Sequence, residues 1–428
     1  MKIAIIGAGA AGCFCAIQLK RELKDACVEV LEAAQKPLMK VAVTGGGRCN
    51  LTNTFRDVRS LQQVYPRGHK LMQRLFHQFD QEQLMAWFEA EGVRLTVQPD
   101  QCVFPVSQDA MQIVHTLLNA MEREGVILSC GQRVQAISSD SASDGGYLVT
   151  TERRQTHYDT VVVTAGGQPK LSGMDFLQPL TLRLETPVPS LFTFKIDSPI
   201  TELMGIVVEN TVVSLAGTKM KASGPLLITH WGMSGPAILK LSSHAARHLS
   251  EQQYKGQLII NWLGDRKEEE VRAELETLLQ HNPQKQIGTL HLSSRQALKS
   301  GATSPITTRL WHFLLSASGI APERRCAEVG HKQLNRLVTS LTANVYSITG
   351  QSRFKEEFVT CGGVALDNVN PNTLECRQHP ALYFAGEVLD VDAVTGGFNL
   401  QAAWTMGFCV ATAIGQKSTE SEEVHSTK

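Results

Sequence analysis

The chain begins with the stretch Ile3-Ala4-Ile5-Ile6-Gly7-Ala8-Gly9-Ala10-Ala11-Gly12. The residues before the first glycine have the apolar composition of a buried strand, and residues 13–24 have the pattern of a helix. The glycines therefore lie at a strand-to-helix turn, where backbone N–H groups and the positive end of a helix dipole suit a diphosphate. The stretch predicts an α/β domain that binds a dinucleotide.

An acidic residue follows at the distance expected of a dinucleotide site. The segment Val28-Glu29-Val30-Leu31-Glu32 has the pattern of a second strand, and Glu32 comes 20 residues after Gly12. A carboxylate at this place accepts hydrogen bonds from ribose hydroxyls and disfavours a 2′-phosphate. The ligand is therefore expected to be FAD or NAD rather than NADP.

A second glycine-rich string is Thr44-Gly45-Gly46-Gly47-Arg48-Cys49-Asn50-Leu51-Thr52-Asn53. Successive glycines can form a backbone nest whose N–H groups bind an anion or a carbonyl oxygen, and Arg48 can add a charge-assisted contact to a diphosphate. A plain surface turn is the alternative interpretation, but glycine costs conformational entropy. Together with the first stretch, the string favours a cofactor contact.

The last glycine-rich segment lies near the end of the chain. The string Leu382-Tyr383-Phe384-Ala385-Gly386-Glu387 has the pattern of a strand that ends at an acid, and Gly396 and Gly397 precede an apolar helical run over residues 399–414. An acid at a strand end can bind ribitol hydroxyls, and a helix start near a flavin stabilises negative charge on the reduced ring. If both ends of the chain contact one ligand, they are arranged as in many FAD enzymes.

The sequence pattern changes several times between these ends. Residues from Leu184 to about Trp262 are strand-like, which predicts an antiparallel barrel or sandwich, whereas residues from Asp265 to Leu341 have helical spacing. The predicted domains are a FAD-binding domain over 1–186 and 358–415, an inserted β-barrel over 187–263 and 342–357, and a helical domain over 264–341. A polar tail over 416–428 is expected to be disordered.

Composition limits the class of protein. Lys and Arg number 41 and Asp and Glu number 41, so no net charge draws the chain to nucleic acid or membranes. Ten cysteines without a CxxC pattern fit a reducing compartment and argue against a zinc site or a disulfide framework. No apolar run approaches the ~20 residues of a membrane helix. A cytoplasmic protein with no membrane partner and no metal is expected.

One local basic segment contrasts with this neutral background. It spans residues 56–74 and contains Asp57 as its acid. A solvated loop and helix face is one interpretation, and an RNA-binding surface is the other. Its basic and aromatic members are Arg56, Arg59, Tyr65, Arg67, His69, Lys70 and Arg74.

Four strings together are typical of a known family. They are GAGAAG over residues 7–12, TGGGRCNLTN over 44–53, TH at 229–230 with SGPA over 234–237, and GEVLDVDAVTGGFNLQAAW over 386–404. With them, the chain resembles the aminoacetone oxidase family of FAD-binding enzymes over almost its whole length. The resemblance implies a two-dinucleotide-binding-like FAD domain with an inserted β-barrel and a helical domain inserted in that barrel. Members are described as aminoacetone oxidases, as NAD(P)H-dependent reductases of bile-acid intermediates, and as ribosomal RNA dihydrouridine synthases.

The resemblance also implies which residues contact FAD. At the diphosphate and adenosine they are Gly7, Gly9, Ala10, Ala11, Gly12 and Glu32, with Val134 in a strand of the kind whose backbone contacts adenine. Along the cofactor they are Thr44, Gly45, Gly46, Gly47, Arg48, Cys49, Asn50, Ala165 and Gly166. Glu387 is placed at the ribitol, and Gly397, Phe398 and Asn399 at the isoalloxazine ring. Phe398 stands where tyrosine is frequent and Ala393 where glycine is frequent, which affects the substrate rather than the cofactor.

The expected activity is that of a FAD-dependent oxidoreductase with non-covalent FAD, in which the inserted module covers the flavin and selects the substrate. The sequence has no second GxGxxG and no CxxxxC redox pair, so NADH or NADPH is expected to bind transiently and deliver hydride. The substrate would then be reduced at a C=C or similar bond. Alternatives are an aminoacetone-type amine oxidase that uses oxygen, a ribosomal RNA uridine reductase, and a non-catalytic flavin-bound redox sensor.

Two residues are candidate proton donors. Cys49 lies in the glycine nest, whose N–H groups can lower a thiol pKa, although a buried structural cysteine is the other interpretation. His230 comes just before a predicted helix start at residues 234–236. It is either an acid or base near the flavin or a hydrogen-bonded histidine of the barrel.

Overall fold

The structure is a computed structural model that describes residues 1–140, 145–290, 292, 306–351 and 359–426. The chain forms two compact units, one of Met1–Pro189 with Val359–Lys428 and one of Ser190–Phe358. Within the described ranges, no helix combines the length and the apolarity that crossing a membrane requires.

The strands are β1 (Lys2–Ile6), β2 (Cys27–Glu32), β3 (Thr52–Asn53), β4 (Leu95–Val97), β5 (Cys102–Pro105), β6 (Ile127–Cys130), β7 (Val134–Ser139), β8 (Tyr147–Thr151), β9 (Gln155–Tyr158), β10 (Thr160–Val163), β11 (Leu184–Pro189), β12 (Phe194–Ile196), β13 (Val207–Leu215), β14 (Lys221–Thr229), β15 (Gly232–Ser234), β16 (Gly256–Asn261), β17 (Asn344–Gln351), β18 (Thr360–Val364) and β19 (Leu382–Phe384). The helices are α1 (Ala10–Glu22), α2 (Met39–Gly47), α3 (His69–Leu75), α4 (Gln81–Ala90), α5 (Ala110–Glu124), α6 (Pro236–His244), α7 (Ala246–Glu251), α8 (Glu268–His281), α9 (Thr308–Ala317), α10 (His331–Thr342) and α11 (Phe398–Ser426). Short 3₁₀ helices cover Leu61–Gln63, Leu171–Leu180, Pro199–Leu203, Ile287–Thr289, Cys326–Glu328 and Leu366–Asn368.

The first unit is built on a parallel sheet with the strand order β19-β10-β1-β2-β6. Strands of a sheet covered on both faces are apolar throughout rather than alternating. Accordingly, β1 (KIAII) and β10 (TVVV) are buried over nearly their whole length. This strand order is that of a dinucleotide-binding fold, in which ligands bind beyond the carboxyl ends of the strands. The predicted Rossmann-type class is confirmed.

The end of the chain returns to this sheet. Strand β18 pairs antiparallel with β11, β19 joins the parallel sheet beside β10, and α11 packs along α1. Gly407 lets the two helices approach closely, since a Cβ there would lie 2.7 Å from the carbonyl oxygen of Ala11. The first and last elements of the chain therefore share one hydrophobic core.

The helix α11 is longer than the sequence predicted. It continues through Ser426, whereas residues 416–428 were expected to be disordered. No proline or glycine follows Gly415, and the Gln, Lys and Glu residues there have good helix propensity, so nothing in the sequence stops the helix. The prediction of disorder is wrong for residues 416–426, and residues 427–428 lie outside the described residues.

The second unit contains a closed antiparallel barrel with the strand order β12-β15-β14-β13-β16-β17. The sequence left a barrel and a sandwich open, and the pairing of β12 with β17 closes the barrel. The helices α8, α9 and α10 follow β16 and precede β17, and their apolar faces join the core of the barrel around Trp262. This unit begins at Ser190, and the sequence predicted a boundary at 187.

Candidate functional site

The turn between β1 and α1 has glycine for two different reasons. A Cβ on Gly12 would lie 2.0 Å from the carbonyl oxygen of Gly7, and one on Gly7 would lie 2.6 Å from the carbonyl oxygen of Thr164. These two glycines therefore permit close backbone packing. Gly9 is different, because a Cβ there would meet no protein atom within 4 Å, and it precedes α1 without a side-chain cap. The helix start thus faces open space with its backbone N–H groups available to an anion.

Glu32 ends β2 beside this turn. Its two carboxylate oxygens accept hydrogen bonds from the N–H groups of Ala8 (2.7 Å) and Ala34 (2.8 Å). A carboxylate has about four acceptor positions, so capacity remains for ribose hydroxyls. The N–H of Gln132 donates to the carbonyl oxygen of Glu32 at 2.8 Å, which brings the segment before Val134 next to this acid. The predicted adenosine contacts at Glu32 and Val134 thus lie on neighbouring segments, although Val134 begins β7 of a separate three-stranded sheet.

The string 44–53 forms a sharp turn at the end of α2. Backbone dihedral angles leave the helical region at Thr44, Gly45 and Gly46, with positive φ at both glycines, so the regular helix ends at Val43. A Cβ on Gly46 would again meet no protein atom within 4 Å. The guanidinium of Arg48 is held beside the turn by a hydrogen bond from Nε to the carbonyl oxygen of Gly45 (3.1 Å) and by stacking on Phe104 (4.5 Å).

Cys49 lies beneath the turn and is fully buried. Burial raises the pKa of its thiol to about 12, although a hydrogen bond with Thr44 acts in the opposite direction. The thiol is therefore protonated at neutral pH. The interpretation that the glycine nest lowers this pKa does not hold, and the alternative of a buried structural cysteine fits the surroundings.

The turn is tied to the end of the chain by hydrogen bonds. The side-chain amide of Asn53 donates to the carbonyl oxygen of Gly396 at 3.1 Å, and the hydroxyl of Thr52 donates to Oε1 of Gln401 at 2.5 Å. Asn53 and Thr52 form β3, while Gln401 lies in the first turn of α11. The second and third glycine-rich segments therefore meet in space.

Two further contacts join the same segments. With its amide oriented to satisfy both neighbours, Asn50 accepts from the N–H of Gly397 at 3.2 Å and donates to the carbonyl oxygen of Thr52 at 3.1 Å. The indole of Trp404 donates to the carbonyl oxygen of Leu51 at 3.2 Å. Thr52, Gln401 and Trp404 were not among the predicted site residues, although all three lie inside the quoted strings.

Glu387 stands where β19 ends, and its carboxylate has two partners. It accepts from the N–H of Thr360 at 2.9 Å and forms an ion pair with Lys40 at 2.9 Å. Gly167 makes room for it, because a Cβ there would lie 2.6 Å from Oε1 of Glu387. The Lys40 side chain is largely exposed, so this ion pair is weak and can exchange partners. Lys40 is a fourth residue that sequence reasoning missed.

The segment after β10 passes the same region. The hydroxyl of Thr164 donates a hydrogen bond that is shared between the carbonyl oxygens of Ile6 (3.1 Å) and Gly7 (2.9 Å). This contact ties the end of β10 to the first glycine turn. Ala165 follows, and its carbonyl oxygen accepts from the Gln168 side chain at 3.2 Å. Gly166 has a φ of +73°, and a Cβ on it would meet no protein atom within 4 Å.

Comparison with known proteins identifies this arrangement. The model of the HI0933-like protein Rossmann domain matches residues 1–413. The chain belongs to the HI0933-like family. The resemblance predicted from the four strings is thereby confirmed. The chain is an FAD-dependent oxidoreductase with a Rossmann-type FAD-binding domain.

Two curated relatives of this HI0933-like chain match it along nearly their whole length. A 3-dehydro-bile acid delta(4,6)-reductase of Clostridium scindens is 27% identical over 425 residues, which cover 97% of this chain and 99% of the relative. A ribosomal RNA dihydrouridine synthase of Escherichia coli is 28% identical over 432 residues, which cover 97% and 98%. Among solved structures, a 3-ketosteroid delta1-dehydrogenase from Sterolibacterium denitrificans has a TM-score of 0.50 at 11% identity and covers 97% of this chain and 99% of its own. That likeness shows the fold alone.

The residues present fit FAD. The open space at Gly9, the uncapped start of α1 and the exposed glycine turn leave room and N–H donors for a diphosphate. Glu32 retains acceptor capacity for a ribose, and Glu387 can exchange Lys40 for ribitol hydroxyls. A cofactor that spans these residues would be extended along the carboxyl ends of the strands, as in Rossmann folds generally.

The side chains of Phe398 and Asn399, at the start of α11, make their contacts within the protein. The Asn399 amide accepts from the N–H of Ala393 (2.8 Å) and donates to the carbonyl oxygen of the same residue (2.9 Å). The Phe398 ring is buried and packs against Phe55 at 5.0 Å between centroids. Any contact of residues 397–399 with the flavin is therefore made by backbone, not by these side chains.

The basic segment 56–74 divides into buried and exposed residues. Tyr65 is fully buried, and Arg67 forms a bidentate ion pair with the buried Asp392. The interpretation of these two residues as part of an RNA-binding surface is therefore wrong, because burial and internal partners remove them from solvent. The remaining basic residues Arg56, Arg59, Lys70 and Arg74 are exposed.

His230 lies in the second unit, between β14 and β15. It is exposed, and its ring centroid is 3.8 Å from that of Trp231. Its role as an acid or base stays a prediction. In the part of the chain that the structure describes, no group of three or more His, Cys, Asp or Glu side chains is arranged to hold a metal ion.

Proposed function

We propose that this oxidoreductase takes hydride from NADH or NADPH and reduces a C=C or similar double bond, with FAD bound non-covalently in the first unit. The observation that carries this proposal is the hydrogen-bonded meeting of the string 44–53 with residues 396–401, in the same unit as the helix start that suits a diphosphate. The names of the two curated relatives support the direction of reaction, since both describe the saturation of a double bond.

Each part of the site has a role in this proposal. The turn at residues 7–12 and the start of α1 bind the diphosphate, and Glu32 binds the adenosine ribose. Glu387 would bind ribitol hydroxyls in place of Lys40, its present partner. The backbone N–H groups of Phe398 and Asn399 lie at the start of α11, where the helix dipole would stabilise negative charge on the ring.

FAD, when bound, supplies the ability to accept two electrons as hydride from one reactant and to pass them to the next. The balance of the whole reaction is that NAD(P)H, one proton and the unsaturated substrate yield NAD(P)⁺ and the saturated product. The chain has no second GxGxxG. We therefore infer that the nicotinamide binds transiently over the flavin and leaves before the substrate enters.

Anaerobic rapid mixing tests this proposal. The purified protein is expected to carry a flavin absorption band, and NADH or NADPH is expected to bleach it. The proposal is abandoned if neither nucleotide bleaches the flavin while aminoacetone does, because that result favours the amine oxidase. Oxygen consumption with aminoacetone under air is the matching control.

Reduction of uridine in ribosomal RNA is the second candidate, and the exposed residues Arg56, Arg59, Lys70 and Arg74 favour it. No ion pair to these residues occurs in the described parts of the chain, so they remain available to phosphates. A double variant, Arg56→Gln with Arg74→Gln, is expected to weaken binding of an unmodified ribosomal RNA transcript by about tenfold at low salt. The matched control changes Arg94 and Arg153, which are also exposed basic residues of the first unit. Equal RNA binding by both double variants would remove the support for an RNA substrate.

A further inference from the structure

We propose that Arg67 and Tyr65 are positioning residues for the cofactor. They hold the return loop, defined as residues 386–397 between β19 and α11, and the first residue of α11 in the arrangement that contacts FAD. This inference rests on the proposed placement of residues 397–399 beside the flavin. It assigns a role to two residues that the sequence had grouped with a basic surface.

The first contact is an ion pair between Arg67 and Asp392 of the return loop. Nε and Nη2 of Arg67 donate to the two carboxylate oxygens of Asp392. The Asp392 side chain is fully buried, and the Arg67 side chain is 14% exposed. The backbones of the two residues also form an antiparallel β-bridge. Planar, bidentate pairing fixes the orientation of a carboxylate as well as its distance.

The second contact is made by Tyr65, two residues earlier. Its hydroxyl donates to the carbonyl oxygen of Phe398 at 2.8 Å, and its ring is fully buried. Between these contacts, the N–H of Val394 donates to the carbonyl oxygen of Val64 at 2.8 Å. Gly68 packs so closely on the loop that a Cβ would lie 2.6 Å from a methyl group of Val391. Residues 64–68 therefore follow the loop from 391 to 398.

The return loop needs support of this kind. Gly396 and Gly397 have φ values of +133° and +86°, and glycine in such conformations loses much backbone entropy when it is ordered. On the other side of the loop, the Asn53 amide donates to the Gly396 carbonyl, and the Asn50 side-chain oxygen accepts from the Gly397 N–H. The loop is thus held between two segments, and the one containing Arg67 and Tyr65 lies outside every string that predicted the cofactor site.

A buried ion pair is a weak source of net stability, because the desolvation of both charges offsets their attraction. Such a pair does impose one geometry, since a buried carboxylate cannot leave its partner without a large penalty. Asp390, which also lies near Arg67, has its own partner in the N–H of Gly362 at 2.8 Å. Geometry of the loop, rather than stability of the fold, is therefore the property that Arg67 and Asp392 provide.

Titration of FAD into the apoprotein tests the proposal, with the flavin reduction potential and the thermal midpoint as further measurements. Arg67→Met is expected to raise the FAD Kd by about tenfold or more. The double variant Arg67→Met with Asp392→Leu removes both charges, so its thermal midpoint is expected to recover toward wild type. Its FAD Kd is expected to stay raised. Tyr65→Phe, which keeps the ring and loses one hydroxyl, is expected to raise the Kd about threefold and to shift the reduction potential.

The control variant is Arg21→Met, which breaks the ion pairs of Arg21 with Glu91 and Glu124 at the far end of α1. It is expected to lower the thermal midpoint and to leave the FAD Kd unchanged. The proposal is overturned if the double variant regains the wild-type Kd and reduction potential, or if Arg21→Met raises the Kd as much as Arg67→Met. If neither Arg67 variant folds, unchanged Kd and potential in Tyr65→Phe overturn it.

These measurements need neither NAD(P)H nor a substrate. Failure of the proposed reductase activity therefore leaves them interpretable. A wild-type protein that takes up no FAD would overturn both proposals, whereas normal FAD binding by all variants would overturn only the positioning role.

Discussion

The side-chain amide of Asn53 donates a hydrogen bond to the backbone carbonyl of Gly396 at 3.1 Å, although 343 residues separate them in sequence. Asn53 is buried, and its side-chain oxygen accepts from the N–H of Phe55 at 2.9 Å. The amide group thus satisfies the Gly396 carbonyl in one segment and the Phe55 N–H in another. This contact joins the segment after α2 to the segment before α11 within the FAD-binding unit.

Replacing Asn53 is expected to weaken FAD binding. Asn53→Ala leaves the Gly396 carbonyl and the Phe55 N–H without partners, which costs about 1–3 kcal/mol of unfolding free energy. It also frees the glycine turn before α11, so the FAD Kd is expected to rise about tenfold. The matched control is Asn368→Ala, another buried amide, which bonds to Arg183 and Ala365. That control is expected to lose similar stability, and an equal loss of FAD affinity in it would contradict the prediction.

Gly9 and Gly12 are expected to respond differently to alanine. Gly9→Ala adds a Cβ that no protein atom approaches within 4 Å, so the change in stability is expected to stay below about 1 kcal/mol while FAD binding weakens. Gly12→Ala forces a Cβ against the Gly7 carbonyl and is expected to destabilise the fold itself. Urea unfolding and FAD titration separate the two effects.

Gly330→Ala is the control for Gly9→Ala. Gly330 also precedes a helix in an extended conformation, and a Cβ there would meet only a side-chain atom at 3.9 Å. It is expected to keep wild-type FAD affinity. Wild-type affinity in Gly9→Ala as well would show that no cofactor lies against this turn.

Glu91 is expected to make stability depend on pH in the acid range. Burial by itself would raise the pKa of Glu91, but hydrogen bonds and charges from Arg123 and Arg21 outweigh burial and lower it. A carboxyl whose folded-state pKa is lowered stabilises the fold above its unfolded-state pKa of about 4.3 and loses that contribution as pH falls through the folded value. Glu91→Gln is therefore expected to cost about 1–3 kcal/mol at pH 7 and progressively less below about pH 4.

Urea unfolding at several pH values checks this dependence. Glu89→Gln, at an exposed position in the last turn of α4 just before Glu91, is the control and is expected to change the free energy of unfolding by less than about 0.5 kcal/mol. A Glu91→Gln difference that stays constant from pH 7 to pH 3 would contradict the assignment of the effect to the ionised carboxylate.

Cys49 is expected to be unreactive in the folded protein. Burial holds the pKa of its thiol at about 12, so very little thiolate exists at pH 8, and alkylating reagents have no access. Cys27 is exposed and is expected to be labelled first by iodoacetamide, with Cys49 labelled after denaturation. Rapid labelling of Cys49 in the folded protein would restore the thiol as a candidate proton donor.

Local features of the sequence were sufficient to predict the nucleotide-binding fold of the first unit. The strand-to-helix turn, the spacing to Glu32 and the apolar strands are set by neighbours in the chain, and the structure has them where the sequence predicts them. The barrel was predicted less sharply. Alternating strands indicate a two-faced sheet, but only the pairing of β12 with β17, across more than 140 residues of sequence, closes it.

The end of the chain shows where a prediction from local composition fails. Composition after Gly415 is polar, and polar composition was interpreted as disorder. The helix α11 is nucleated by its buried first half, which packs along α1, and the polar residues continue it at little cost. Composition describes a segment alone and does not include the structure that precedes it.

The sequence by itself was enough to predict an α/β domain that binds a dinucleotide, FAD as its ligand, and the strings that are expected to contact it. These properties depend on glycine spacing and apolar runs, which act over a few residues. The tertiary structure decided that Arg67 and Tyr65 are internal, that the Asn399 amide holds Ala393, and that Cys49 keeps its proton. The physical reason is that burial, ion pairing and pKa depend on partners from distant parts of the chain, and the two ends of this one meet only when it folds.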